Sequence, residues 1–345
     1  MLTCDISEKT LHFLQPAGTS RGVYTTRRSW FVSLSDDEQP GFVGVGECAP
    51  LPQLSCDDLP DYEAELRRCC EKVVRDGVLD TEALRPYPSM LFGLETAWRS
   101  LQTRSVVIFD TPFTRGEVGI PINGLVWMGT YEEMMARMEE KMAAGFRCIK
   151  LKIGAIDFDH ELDLIRRIRA RFSEREVELR LDANGAFATD EALQRLDLLA
   201  NYGIHSIEQP IRQGQWEEMA HICAASPIPI ALDEELIGIH TLAEKAQLLD
   251  IIRPEYIILK PSLHGGITGT LEWISLAEQR GIGSWITSAL ESNVGLSAVA
   301  QLAAHAYGAP PKMPQGLGTG QLFADNIPMP MGLVGDRLFF YPQRL

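Results

Sequence analysis

Five short apolar runs in this 345-residue chain each end in an ionisable residue: Ile149-Lys-Leu-Lys152, Leu179-Arg-Leu-Asp182, His205-Ser-Ile-Glu208, Ile230-Ala-Leu-Asp233 and Ile257-Ile-Leu-Lys260. The order is Lys, Asp, Glu, Asp, Lys. One charge at the end of an apolar strand marks only where the chain meets water, but five in register point to a single site. Three carboxylates gathered at one end of a sheet repel, and raise one another's pKa, unless a cation neutralises them. Oxygen-only ligands, with no Cys or His in the set, suit a hard ion such as Mg²⁺, with Mn²⁺ as a substitute, and argue against Zn²⁺. Asp182, Glu208 and Asp233 are therefore the expected metal ligands.

Lys152 and Lys260 flank those acids and are the expected catalytic residues. A proton next to a carboxylate is too weakly acidic for a side chain to remove unaided. A metal on that carboxylate stabilises the charge that develops, and a nearby cation with partial burial is expected to lower a lysine pKa from its usual value of about 10.4. Lys150 lies two residues before Lys152, on the same strand face, and takes a supporting role. Asn184 and Glu234 adjoin proposed ligands and are expected to orient them.

Chemistry of this kind needs elements that bring five strand ends together. From about residue 119 a short apolar run and a longer amphipathic run alternate, with strands predicted at 119–123, 148–153, 177–183, 204–209, 228–233, 256–260 and 283–287, and a weaker one at 318–322. Thr130-Tyr-Glu-Glu133 reads as a capping box, and Gly145, Gly203, Gly281 and Gly308 as helix C-terminal caps. Repeated βα units imply a parallel sheet, and the missing G-x-G-x-x-G fingerprint favours a closed barrel whose functional residues project from the C-terminal strand ends. Before residue 105 the pattern is mixed: strand-like runs at 30–34 and 42–46, helical stretches at 62–75 and 90–104, and loops expected at 16–22 and 46–55. The segment 323–345 is expected to pack back onto this N-terminal unit.

The formal charge of −15 is spread along the chain without a basic run, which argues against a nucleic-acid partner. Seven cysteines without a C-x-x-C pair read as reduced thiols. No signal sequence and no stretch of roughly 20 apolar residues is apparent, so a soluble, cytoplasmic enzyme acting on a small-molecule carboxylate is expected, away from membranes. The oligomeric state is not readable. His264 and the methionine-rich stretch 134–142 read as loop and packing residues.

The motifs Lys150-Leu-Lys152, Asp182-Ala-Asn184, Glu208-Gln-Pro210, Asp233-Glu234 and Lys260-Pro261 resemble the enolase superfamily, in its muconate-lactonizing branch. A lysine or histidine base beside Mg²⁺ is that superfamily's pattern. The stretch Ile286-Thr-Ser-Ala-Leu-Glu-Ser292 lacks histidine; with the segments 46–55, 260–266 and 316–323 it is similar to the o-succinylbenzoate synthases of menaquinone biosynthesis. The resemblance implies an α/β fold, a modified TIM barrel (β/α)7β over 106–323. An α+β capping domain over 1–105 would be completed by 324–345. It implies dehydration of 2-succinyl-6-hydroxy-2,4-cyclohexadiene-1-carboxylate, with Lys152 making both proton transfers and Lys260 staying charged. It also implies capping loops at 18–22 and 51–55 over the succinyl arm, with substrate contacts at Arg21 and Leu51, and backbone donors near Ser288 that receive a substrate carboxylate or succinyl group. The alternatives are a racemase of N-acylamino acids or an epimerase of dipeptides, a muconate cycloisomerase, and a non-catalytic metal- or ligand-binding barrel.

Overall fold

The computed structural model describes all residues except Ser20, Arg21, Gln39, Met128, Ala155 and Leu345, and the backbone alone at Gly18 and Thr19. Arg21 thus lies outside the described residues. Strands β1 (Leu2–Thr19) and β2 (Gly22–Asp36) form a long antiparallel hairpin, and β3 (Gly44–Cys48) pairs with β2. The loop expected at 16–22 is instead mostly the end of this hairpin. Pro16 sits at the register shift between His12 and Ala17, where the ladder does not need its missing N–H.

The expected loop at 46–55 also begins late, because Gly46 is part of β3. The glycines of this strand serve close packing. Helix α1 (Tyr62–Asp76) is followed by α2 (Pro88–Thr103), which starts with proline in its first turn and lies directly on β3. A Cβ at Gly46 would run into the carbonyl of Gly93 in α2.

Strand β4 (Ile120–Pro121) precedes the barrel. The barrel alternates β5 (Gly124–Val126), α3 (Tyr131–Ala143), β6 (Cys148–Lys152), α4 (Phe158–Arg171), β7 (Glu178–Asp182) and α5 (Ala192–Leu199). It continues through β8 (Ile204–Glu208), α6 (Trp216–Ala225), β9 (Ile230–Leu232), α7 (Leu242–Ile252), β10 (Tyr256–Leu259), α8 (Gly266–Glu278), β11 (Gly283–Ile286) and α9 (Asn293–Tyr307). Strands β5 to β11 are parallel neighbours in sequence order. The capping box at Thr130 and Glu133 is present.

Two strand boundaries differ from expectation. Ile120–Pro121 leaves the barrel to pair antiparallel with a C-terminal strand, so the first barrel strand starts at Gly124. The eighth strand shrinks to Gln315 and Gly316, whose backbone bridges Ile122 on one side and Thr287 on the other. The Gly316 amide donates to the Ile286 carbonyl (2.9 Å), and the Asn123 amide to the Gln315 carbonyl (3.0 Å), which closes the ring. Only glycine fits at 316, because a Cβ there would strike Thr287. Residues Gly318–Gln321 form a 3₁₀ turn in place of the expected strand.

The tail divides between the two units. Phe323 bridges Phe13 and the Ala324 amide donates to the His12 carbonyl at 2.8 Å. The hairpin β12 (Met331–Val334) and β13 (Arg337–Phe340) pairs instead with β4. Among the described residues no helix is long and apolar enough to cross a membrane.

Buried carboxylates fasten the N-terminal unit to the barrel. Helix α8 has no side-chain cap of its own, and Glu95 of α2 supplies one by accepting the amides of Ile267 (2.5 Å) and Thr268 (3.0 Å). Glu47 of β3 does the same for α9, accepting from the amides of Ser292 and Gly295, both at 2.9 Å. Free amides at a helix start favour a negative charge there.

Burial pushes the Glu95 carboxyl up to about 7, against the pull of Thr268 and Ile267. Its folded value lies above the ordinary 4.5, so its contribution is complete below about pH 4.5 and is lost as pH rises through about 7. Thermal denaturation should therefore show wild-type stability falling between about pH 5 and 8, and a flatter profile for Glu95→Gln. Equal slopes would mean that the carboxyl titrates normally. Gly46→Ala should cost about 1–3 kcal/mol by denaturant unfolding, since rigid backbone must move to admit the methyl group.

Candidate active site

The parallel register sets the site. Lys152 pairs with Asp182 and Asp182 with Glu208, so three strand ends lie at one level. Asp233 follows β9 immediately and Lys260 follows β10. All five are buried or nearly so, with Asp182 and Asp233 at 0% exposure. The Lys150 ammonium lies 2.8 Å from Asp182 Oδ2 and 2.5 Å from Glu208 Oε2. That of Lys152 lies 2.8 Å from Asp182 Oδ2 and donates to Asn184 Oδ1 at 2.7 Å. Lys260 is ion-paired with Asp233. Asn184 Nδ2 donates to Glu234 Oε1 at 3.0 Å, so the two adjoining residues meet each other.

The backbone is strained where it turns away from the acids. Asn184 has φ 45° and Gln209 has φ 43°, a left-handed conformation that non-glycine residues rarely adopt, and Gln209 does so immediately before Pro210. Gln209 repays its conformation with contacts. Its Oε1 accepts the amides of Asp233 and Glu235, each at 3.2 Å, and its Nε2 donates to the Ile211 carbonyl at 3.0 Å and to Glu235 at 3.1 Å. It thereby ties the turn after β8 to the turn from which Asp233 emerges. The sequence reading missed this role; its only trace there is the tripeptide Glu208-Gln-Pro210.

His264, read as a loop residue, is buried beneath Lys260. Its Nδ1 accepts the Lys260 amide at 2.9 Å, and its Nε2 lies 4.0 Å from Asp233 Oδ1. Burial, then the charges of Lys260 and Lys245, hold its pKa well below the usual histidine value, so it is neutral.

Two of the three amines are shifted upward. Burial alone would lower the lysine pKa values, but Asp182, Glu208 and Asp233 overcome it at Lys150 and push it up. Asp233, Glu208 and Glu234 do likewise at Lys260. These two amines are held charged because each faces carboxylates in a buried space. Asp182 is shifted the other way: burial would raise it, but Lys150 and Lys152 hold it below the usual carboxylate range. Burial and the neighbouring Asp182 push Glu208 up to about 8 despite Lys150, and burial raises Asp233 against Lys260.

As the side chains stand, no three Asp, Glu, His or Cys groups among the described residues form a metal-holding cluster. Lys150 lies between Asp182 and Glu208, and Lys260 sits on Asp233, so ammonium groups provide the counter-charge. The donor set itself fits a hard divalent cation. Glu208 Oε1 and Asp233 Oδ1 are buried without a hydrogen-bond partner, and with Asp182 the three side chains offer oxygen donors only.

The amines face a cavity of about 580 Å³. Lys150, Lys152, Asn184, Glu234 and Lys260 form its polar wall; Tyr24, Leu51, Leu54, Trp127 and Leu290 are on its apolar side. Ser288 also lines it, but its amide donates to Gly316 (3.0 Å), while the amides of Ala289 and Leu290 donate to Glu291 (2.7 Å) and Ser288 Oγ (3.2 Å). The backbone donors expected there are thus already engaged within the protein. A polar wall facing an apolar one suits a small carboxylate with a hydrocarbon body.

The family model described as "Enolase C-terminal domain-like" matches residues 133–315, and that described as "MenC, N-terminal domain" matches residues 20–101. An o-succinylbenzoate synthase from Desulfotalea psychrophila is 46% identical over 95% of this chain and 96% of its own length. The crystal structure of MenC from the same organism superposes with a TM-score of 0.83 at 41% identity, covering 98% of this chain and 99% of that one. An L-Ala-D/L-Glu epimerase from Bacillus subtilis is 30% identical, over 88% of this chain and 85% of its own. With two lysines flanking three acids at the strand ends of a parallel barrel, and near full-length identity of this order, the chain belongs to the o-succinylbenzoate synthase family of the enolase superfamily.

Proposed function

We propose that this chain is an o-succinylbenzoate synthase of menaquinone biosynthesis, dehydrating 2-succinyl-6-hydroxy-2,4-cyclohexadiene-1-carboxylate to 2-succinylbenzoate. The observation that carries the reading is the placement of Lys152 on Asp182 and Lys260 on Asp233, at opposite ends of one row of acids, with both amines facing one cavity. Asp182, Glu208 and Asp233 would hold a divalent cation, Mg²⁺ or in its place Mn²⁺. When bound, the ion supplies fixed positive charge beside the substrate carboxylate, where negative charge grows as the proton leaves.

Lys152 is the base. Its Nζ is held by contacts to Asp182 and Asn184 and lines the cavity. It removes the proton from the ring carbon that bears the carboxylate. The electron pair so released forms the new ring double bond as the C–O bond to the adjacent hydroxyl breaks. The same lysine, now an ammonium, returns its proton to the departing hydroxide on that face, and water and an aromatic ring result. Lys260 keeps its charge, because Asp233, Glu208 and Glu234 hold it there against burial, and it stabilises the ring by charge and by a cation–π contact. Leu51, Leu54 and Trp127 keep water from the reacting face.

A second reading is favoured by the B. subtilis relative: the same lysines would exchange a proton on either face of an α-carbon, as in an epimerase. Incubation in D₂O separates the two. The proposed reaction raises an aromatic absorbance with the cyclohexadiene substrate and leaves dipeptides unlabelled, whereas an epimerase washes deuterium into both epimers.

Lys152→Ala should lower turnover by about a thousandfold while Mg²⁺ binding, followed by calorimetry, stays near wild type. Unchanged turnover removes Lys152 from the mechanism. Asp182→Asn should weaken Mg²⁺ binding about tenfold or more and make activity depend on added metal, and a wild-type enzyme indifferent to EDTA would sink the metal assignment.

A further inference from the structure

We infer that Arg27 is a positioning residue for substrate binding: it locks together the two loops, one from each unit, that form the apolar end of the cavity. The inference rests on the proposed dehydration. Arg27 lies on β2 and is 2% exposed. Its Nη1 donates to the Pro50 carbonyl, its Nη2 to that of Ala49 (2.6 Å), and its Nε to that of Leu290 (3.2 Å). A longer contact runs from Nη2 to the Ala289 carbonyl at 3.5 Å. One planar fork thus joins the loop after β3 to the loop after β11.

Both loops build the cavity wall. Leu51 and Leu290 adjoin or carry the accepting carbonyls, are buried, and share one apolar cluster with Leu263 and Ala289. Leu290 is held at φ 66°, a conformation that leucine does not adopt unaided, and the Arg27 bond falls on its carbonyl. Tyr24, on the same strand, adds a hydroxyl bond to the Pro52 carbonyl at 2.8 Å. No carboxylate ion-pairs with Arg27 among the described residues; Glu291 and Glu47 act on it only from a distance. A buried cation that directs its donors at carbonyls of two separate loops is suited to fixing their spacing. Lysine, with three donors on one atom, cannot span them in the same way.

Arg27 is remote in role from the acids and amines, so its removal should change how substrate is held more than how it reacts. In steady-state assays of the Mg²⁺-loaded enzyme, Arg27→Gln and Arg27→Lys should raise KM about tenfold or more, with a smaller fall in kcat and Mg²⁺ affinity unchanged. Arg27→Lys should be the milder of the two. In Arg27→Ala, guanidinium ion at non-denaturing concentration should bring KM back toward wild type. Folded variants with wild-type KM, or with a loss confined to kcat, overturn the inference. So does loss of fold in all three variants, which assigns Arg27 to stability alone. A wild-type enzyme inactive on the cyclohexadiene substrate would instead overturn the functional reading on which this rests.

Discussion

Three buried carboxylates at the mouth of a parallel barrel need positive charge beside them, and the rest of this structure is arranged around that requirement. Desolvation makes each charge costly, and mutual repulsion makes the three together costlier than three apart. Lys150, Lys152 and Lys260 meet the need within the chain, each within contact of an acid. The acids share that charge unequally. Asp182, beside two amines, stays ionised, whereas burial pushes Glu208 and Asp233 toward the protonated form.

Such a row is stable only if its backbone cannot relax away. The register of β6, β7 and β8 sets three side chains at one level, and the turns that follow are fastened by specific bonds. Gln209 secures the exit from β9, and His264 holds the backbone of Lys260. Left-handed backbone at Asn184 and Gln209 is the conformational cost of turning sharply just past a buried acid.

The second unit is attached by the same physics in milder form. Glu47 and Glu95 present carboxylates to the amide ends of α9 and α8, so the union of sheet domain and barrel is made by buried hydrogen bonds to helix starts as well as by apolar packing. Arg27 offers the complementary arrangement, a buried cation on carbonyl oxygens of two loops. The cavity walls are therefore set by directional contacts, which tolerate less displacement than apolar ones.

The five ionisable residues, the parallel barrel and the α+β unit before it were legible in the sequence, because strand alternation repeats with fixed spacing and charge stands out against apolar runs. The N-terminal sheet was legible only in part: the run at 42–46 reads as strand-like, but Pro16 and the stretch from Gly46 carry the composition of loops and sit instead at a register shift and against a helix. The first and last barrel strands were misplaced for the same kind of reason. Ile120 and Pro121 look like any short strand, and only pairing with residues more than 200 positions later assigns them elsewhere. What the sequence alone determined was the chemistry that each strand end can offer, which depends on residue type and local period. The tertiary structure decided which groups share a charge, which carbonyls Arg27 joins and how each pKa moves, because those depend on distance and burial between segments that no local pattern relates.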